Sequence, residues 1–215
     1  MSSCLWLERP AAWRPAALTI LLTLVTAPAW PLGWHALAGG KAPELGEAFW
    51  AAMRNSLELA AWVIVPALAV GWPAGLAASL YEFPGRRFLL AAVTVPLLVP
   101  SFLWAIGWSA LAGHLGPAAA FRINGLAGCC LVFLAGAVPL VCWMTYAATA
   151  SLAGTQVEAA RIADGERAVL WYTGRYVAVT AILAAALAGV LTLSDPGPGQ
   201  ILGVRTAASE VLTSF

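Results

Sequence analysis

Charge is scarce in this chain: Asp, Glu, Lys and Arg make up 10% of its 215 residues, while 61% are hydrophobic. So few charges leave too little polar surface to cover a soluble globule and too much apolar surface for one core, which excludes an ordinary water-soluble domain. The net charge of +1 excludes a broad basic face of the kind nucleic acid demands, and no nucleic-acid partner is expected. Cysteine and histidine are sparse as well. Cys4, Cys129, Cys130 and Cys142 form neither a paired framework nor a metal pattern with His35 and His114. Three of the four cysteines fall in one apolar run, where a thiol behaves as a small, soft hydrophobe. There is no Walker-type Gly-rich loop, no supported Ser/His/Asp pattern and no carboxylate pair inside an apolar run. No catalytic residue, cofactor or metal site is expected, and an ATP-hydrolysing chain is disfavoured on the same grounds.

What the chain has instead is apolar length, with a mean hydropathy of +0.84. A bilayer core needs about 20 mostly apolar residues per helix, and five stretches qualify: 16–34, 57–80, 88–112, 125–152 and 176–193. The last three contain no Asp, Glu, Lys or Arg, and the second carries only Glu58 near its edge. The runs are continuous rather than alternating, which favours helices over a β-barrel. The expected fold class is an all-α membrane protein, a polytopic bundle of about five transmembrane helices. Pro66, Pro73, Pro96, Pro100 and Pro139 are candidate kinks. Ala27-Pro28-Ala29 in the first stretch also resembles a signal-peptide cleavage site, though cleavage there would leave the topology of the rest unchanged.

The arginines set an orientation. With a cytoplasmic N-terminus, Arg9, Arg14, Arg86, Arg87, Arg161, Arg167 and Arg175 fall inside, against Lys41, Arg54, Arg122 and Arg205 outside. The loop between the fourth and fifth stretches then lies in the cytoplasm. It contains Glu158-Ala159-Ala160-Arg161-Ile162-Ala163-Asp164-Gly165, a charged, Gly-terminated segment between two uncharged apolar runs. Ala159, Ala160 and Ala163 favour helix, Glu158 complements the helix dipole near its start, and Gly165 ends or bends the helix. A second helical stretch from Glu166 to Tyr172 is expected at the membrane surface. Small Ala side chains admit a partner backbone closely, while Glu158 and Arg161 offer charge-assisted contacts. The same loop also suits an interfacial linker, with its arginines on anionic lipid and Trp171, Tyr172 and Tyr176 at the headgroups.

The segment resembles the EAA loop of permease subunits in bacterial binding-protein-dependent ABC importers. Glu158, Ala159 and Ala160 match the opening of that pattern and Gly165 matches its bend. Four residues stand between Ala160 and Gly165 where the pattern has three, and no proline stands near Val177-Ala178 where Leu-Pro commonly opens the next helix. Asn55-Ser56-Leu57, the Gly71 to Gly75 region, Phe83-Pro84-Gly85-Arg86-Arg87 and Val95-Pro96-Leu97-Leu98-Val99-Pro100 are similar to the core helices of such permeases in order and spacing. The resemblance implies a type I importer permease: residues 1–54 as tail, first helix and outer loop, and residues 55–215 as permease core with a coupling loop at 156–172. It implies a cytoplasmic ABC ATPase dimer docking at Glu158, Ala159, Ala160, Arg161, Asp164 and Gly165. It also implies a second permease half, an extracytoplasmic substrate-binding protein and a place in the bacterial inner membrane.

Leu193-Ser194-Asp195-Pro196-Gly197 resembles a segment of ferric-iron-type permeases, with Pro196 in place of an aromatic residue. Ferric iron is the substrate that this likeness implies, and Ser194 and Asp195 would stand beside the substrate path. Asp195 also reads as a plain helix-end residue before a Pro- and Gly-rich breaker. The family pattern continues beyond the equivalent of Phe215, so the core is expected to lack its last helix. Two other functions fit the same composition: an ATP-independent secondary transporter or channel, and a membrane scaffold that recruits a cytoplasmic partner.

Overall fold

The computed structural model describes residues 46–152 and 154–213. The first apolar stretch, with Arg9, Arg14, Cys4, His35 and Lys41, lies outside them. Among the described residues every element is helical: α1 (Glu47–Leu80), α2 (Arg86–Leu98), α3 (Ser101–Leu115), α4 (Pro117–Ile123), α5 (Leu126–Ala150), α6 (Gly154–Ser194), α7 (Gly197–Leu202) and α8 (Ala207–Thr213). Helices α1, α5 and α6 are each long and apolar enough to cross a membrane. Helices α2 and α3 add a fourth crossing if they are taken as one span. The chain thus has the architecture of a multi-pass membrane protein.

The stretch 88–112, expected as one span with candidate kinks at Pro96 and Pro100, is broken at the second of them. Helices α2 and α3 meet at 97°, and the cause is local. Pro100 brings no N–H, and its ring drives the preceding residue out of the helical region. Val99 is accordingly extended at φ −98°, ψ 121°, and Pro100 follows at φ −55°, ψ 142°. Pro66, Pro73 and Pro139 stay inside continuous helices.

The second difference lies after Gly165. Residues 166–172 do not form a separate surface helix but are the first turns of the same helix that contains 176–193. No proline intervenes to stop it.

The bundle is held by close approach of α1 to α5. A Cβ at Gly75 would stand 2.4 Å from the Cys142 carbonyl oxygen, and one at Gly71 would stand 2.8 Å from that of Val138. Four residues apart, the two glycines form the small-xxx-small seam by which helices pack in lipid, where dispersion must replace the hydrophobic drive. Leu59, Val63 and Ala67 of α1, Cys129, Val132 and Val141 of α5, and Ala181, Ala184 and Ala188 of α6 complete the core. On the opposite faces Trp62, Val65, Val70, Val179, Leu183 and Val190 turn outward and stay exposed. Water would penalise so much bare apolar surface, whereas acyl chains match it.

Beyond α6 the chain is latched to the start of α1. Asn55 donates through Nδ2 to the Arg205 carbonyl at 3.2 Å, and the Ser56 hydroxyl accepts the Ala207 N–H at 2.8 Å. Thr206 and Ser209 cap each other's N–H groups at the start of α8. Cys129 reaches the Pro198 carbonyl through Sγ at 3.7 Å.

Candidate functional site

Two places concentrate polar chemistry in this apolar bundle. The first is the arm that opens α6. Residues 154–163 form a helix that breaks at Asp164 (φ −153°, ψ 31°) and Gly165 (φ 63°, ψ −153°) before the long helix resumes. Gly165 has the backbone of a glycine-only region, reached freely without a Cβ and at real cost with one. The bend anticipated at Gly165 is therefore a bend that this residue type makes possible.

Of the residues expected to dock an ATPase, Glu158, Ala159, Arg161, Asp164 and Gly165 are exposed and Ala160 is half-buried. Glu158 and Ile162 stand four residues apart, hence on one face, and Ala159 lies beside them. Ile162 is 87% exposed, a large apolar side chain left bare on a helix that has few. In the sequence only its place one helical turn after Glu158 marks it.

The arm is tied to the bundle through Glu166, also missed in the sequence. One carboxylate oxygen takes an ion pair from Arg161 Nε at 2.8 Å, across the break. The other accepts the Tyr81 hydroxyl at 3.0 Å. Tyr81 caps the end of α1, so one side chain links the arm, its own helix and α1. Both members of the ion pair are about half exposed, which limits its worth to roughly 0–1 kcal/mol. Its role is to fix geometry. On the same end, Arg86 Nη2 donates to the Tyr146 hydroxyl at 3.1 Å with its guanidinium 5.8 Å from that ring, joining α2 to α5.

Burial, then the hydrogen bond to the Glu166 carboxylate, push the Tyr81 phenol above its ordinary value of 10.0. A raised value means that the folded state favours the neutral phenol, so the contact's contribution is present below about pH 10 and lost as pH rises through the raised value. Trypsin cleavage after Arg161 in detergent-purified protein should accelerate above that pH, and Tyr81→Phe should remove the pH dependence. Glu166→Gln should raise the cleavage rate at neutral pH by no more than about fivefold, the scale of one exposed ion pair.

The second place is a cavity of about 590 Å³. Pro96 and Pro100 of the broken α2–α3 pair, Trp104, Phe133 of α5, and Ser194 and Asp195 at the end of α6 contribute to its wall. Asp195 accepts the Ser101 hydroxyl on one oxygen and the Gly197 N–H on the other at 2.9 Å. Two breaks in helix, at Val99–Pro100 and after Ser194, thus meet through one carboxylate. Ser194 lines the cavity but turns its hydroxyl back to the Leu191 carbonyl. Ser101, Trp104 and Phe133 were not singled out from the sequence.

Compared with protein-family models and with curated proteins, the chain matches none. Its functional reading therefore rests on its own residues and geometry.

Proposed function

We propose that this chain is the membrane-spanning permease subunit of an ATP-driven ABC importer in the bacterial inner membrane, with its N-terminus in the cytoplasm. The observation that carries this reading is the exposed helical arm bearing Glu158, Ala159 and Ile162, set off from its span by Gly165 and linked to α1 through Glu166. An arm so placed offers a partner a small-residue face with one apolar knob and one carboxylate. Motion imposed on it reaches α1 and α6 through the Glu166 link rather than dissipating in a loose loop. Arg86 and Arg161, at the same end of the bundle, support the assignment of that end to the cytoplasm.

In this reading two permease halves enclose the path, an extracytoplasmic binding protein delivers cargo, and closure of a cytoplasmic ATPase dimer draws the arms together and alternates access. The bend between α2 and α3 and the cavity beside it supply irregular backbone at membrane depth, a feature tolerated where it lines a protein-enclosed path. The likeness to ferric-iron permeases makes ferric iron one cargo to assay, beside organic cations. Mild-detergent copurification with mass spectrometry of the associated chains tests the proposal. An ABC ATPase and a binding protein are expected; an ion-gradient-driven flux with no associated ATPase would replace this reading with that of a secondary transporter.

A further inference from the structure

The cavity beside Asp195 has a more specific chemistry than its place on a path requires. Its α5 wall, from Val132 to Leu140, falls within the middle turns of that span, so the cavity sits at membrane depth. Asp195 stands at one end of it, one residue past the last turn of α6. Among the described lining residues Asp195 is the only charged group. The cavity is also lined by Ser101, by Thr192 and Ser194, whose hydroxyls turn back to their own helix, by two aromatic side chains, Trp104 and Phe133, and by aliphatic residues.

We infer that this cavity binds a monovalent organic cation, a protonated or quaternary amine, with Asp195 as its counter-ion. As a cargo site the inference rests on the importer reading; as a binding site it stands on the cavity alone. Charge balance decides the class. One carboxylate neutralises one ammonium, whereas a trivalent metal ion would leave most of its charge uncompensated in an apolar wall, at a prohibitive desolvation cost. An anion would be repelled by Asp195. The aromatic and aliphatic lining favours a cation that carries carbon, through ring quadrupoles and apolar contact. The volume lies within the range of small-molecule sites.

The test uses the full chain purified in lipid nanodiscs, with radiolabelled tetraethylammonium as probe and sulfate and ferric citrate as comparison ligands in equilibrium dialysis. Saturable tetraethylammonium binding is expected, weakened about tenfold or more by Asp195→Asn, the loss of one charge-assisted contact. Asn retains an acceptor for the Gly197 N–H, which protects the fold. A second variant guards against misfolding: a Cβ at Gly136, which lines the cavity, would meet nothing within 4 Å. Gly136→Phe should therefore fill the cavity and abolish binding with an unchanged elution profile. Absence of saturable tetraethylammonium binding, binding unaltered by Asp195→Asn, or tighter binding of sulfate or ferric citrate would overturn the inference. No ATPase enters the assay, so the outcomes separate. Cation binding through Asp195 without any copurifying ATPase keeps the site and discards the importer, and the reverse result discards the site alone.

Discussion

Gly75→Leu is expected to destabilise the bundle strongly. The first atom of any side chain at this position would lie 2.4 Å from a backbone carbonyl oxygen of Cys142 and 2.8 Å from the Thr145 Cβ. Backbone oxygen on a packed helix does not yield as the tip of a flexible side chain does, so α1 and α5 must separate along their whole seam. Overpacking of this kind costs about 3 kcal/mol or more, which at this chain length lowers Tm by roughly 6–12 °C. Thermal challenge followed by size-exclusion chromatography in detergent would register it as loss of the monodisperse peak. Gly71→Ala, facing the Val138 carbonyl at 2.8 Å, should show a smaller loss. Gly107→Ala and Gly136→Ala, where a Cβ meets nothing within 4 Å, should be neutral. Equal tolerance at all four positions would contradict the seam.

The membrane class of this fold was legible because composition alone dictates it: no arrangement of so few charges covers this much apolar surface. The bend at Gly165 was legible for a different reason, that positive φ selects glycine and leaves it as a mark in the sequence. The 97° turn between α2 and α3 was not. Summed hydropathy over 88–112 reports what residues are present and is blind to the direction they run. Five prolines were equally eligible as kinks, yet only Pro100 is flanked by extended backbone where the helix turns. Hydrogen-bond partners were beyond reach in the same way. Glu166 and Tyr81 are separated by 85 positions, and Asp195 and Ser101 by 94; no local pattern announces such pairs. In the sequence Asp195 is a residue after an apolar run in a permease-like segment, and only the fold joins it to the break at Pro100.

The second large effect is expected in the arm. Gly165 sits at φ 63°, and proline is confined to about −65°, so Gly165→Pro cannot close the present bend and must swing the arm away from its Glu166 tether. Glu158→Lys reverses the charge on the exposed face and places a cation near the positive end of the arm's dipole. Neither position is buried, so the double variant should keep the bundle, with thermal stability within about 1–2 kcal/mol of the parent on the scale of ordinary surface and backbone changes. Its contact with a partner should nonetheless be lost.

That separation of fold from docking makes the double variant the most direct test of the account. Parent and Glu158→Lys/Gly165→Pro chains, expressed at matched levels and extracted in mild detergent, would be compared by the amount of ABC ATPase that copurifies and by uptake of the cargo carried by the associated binding protein. The importer account predicts that the variant elutes as a folded bundle with ATPase association reduced about tenfold or more, the worth of one or two lost interface contacts, and with uptake at background. Unchanged ATPase association and unchanged uptake in a folded variant would contradict it.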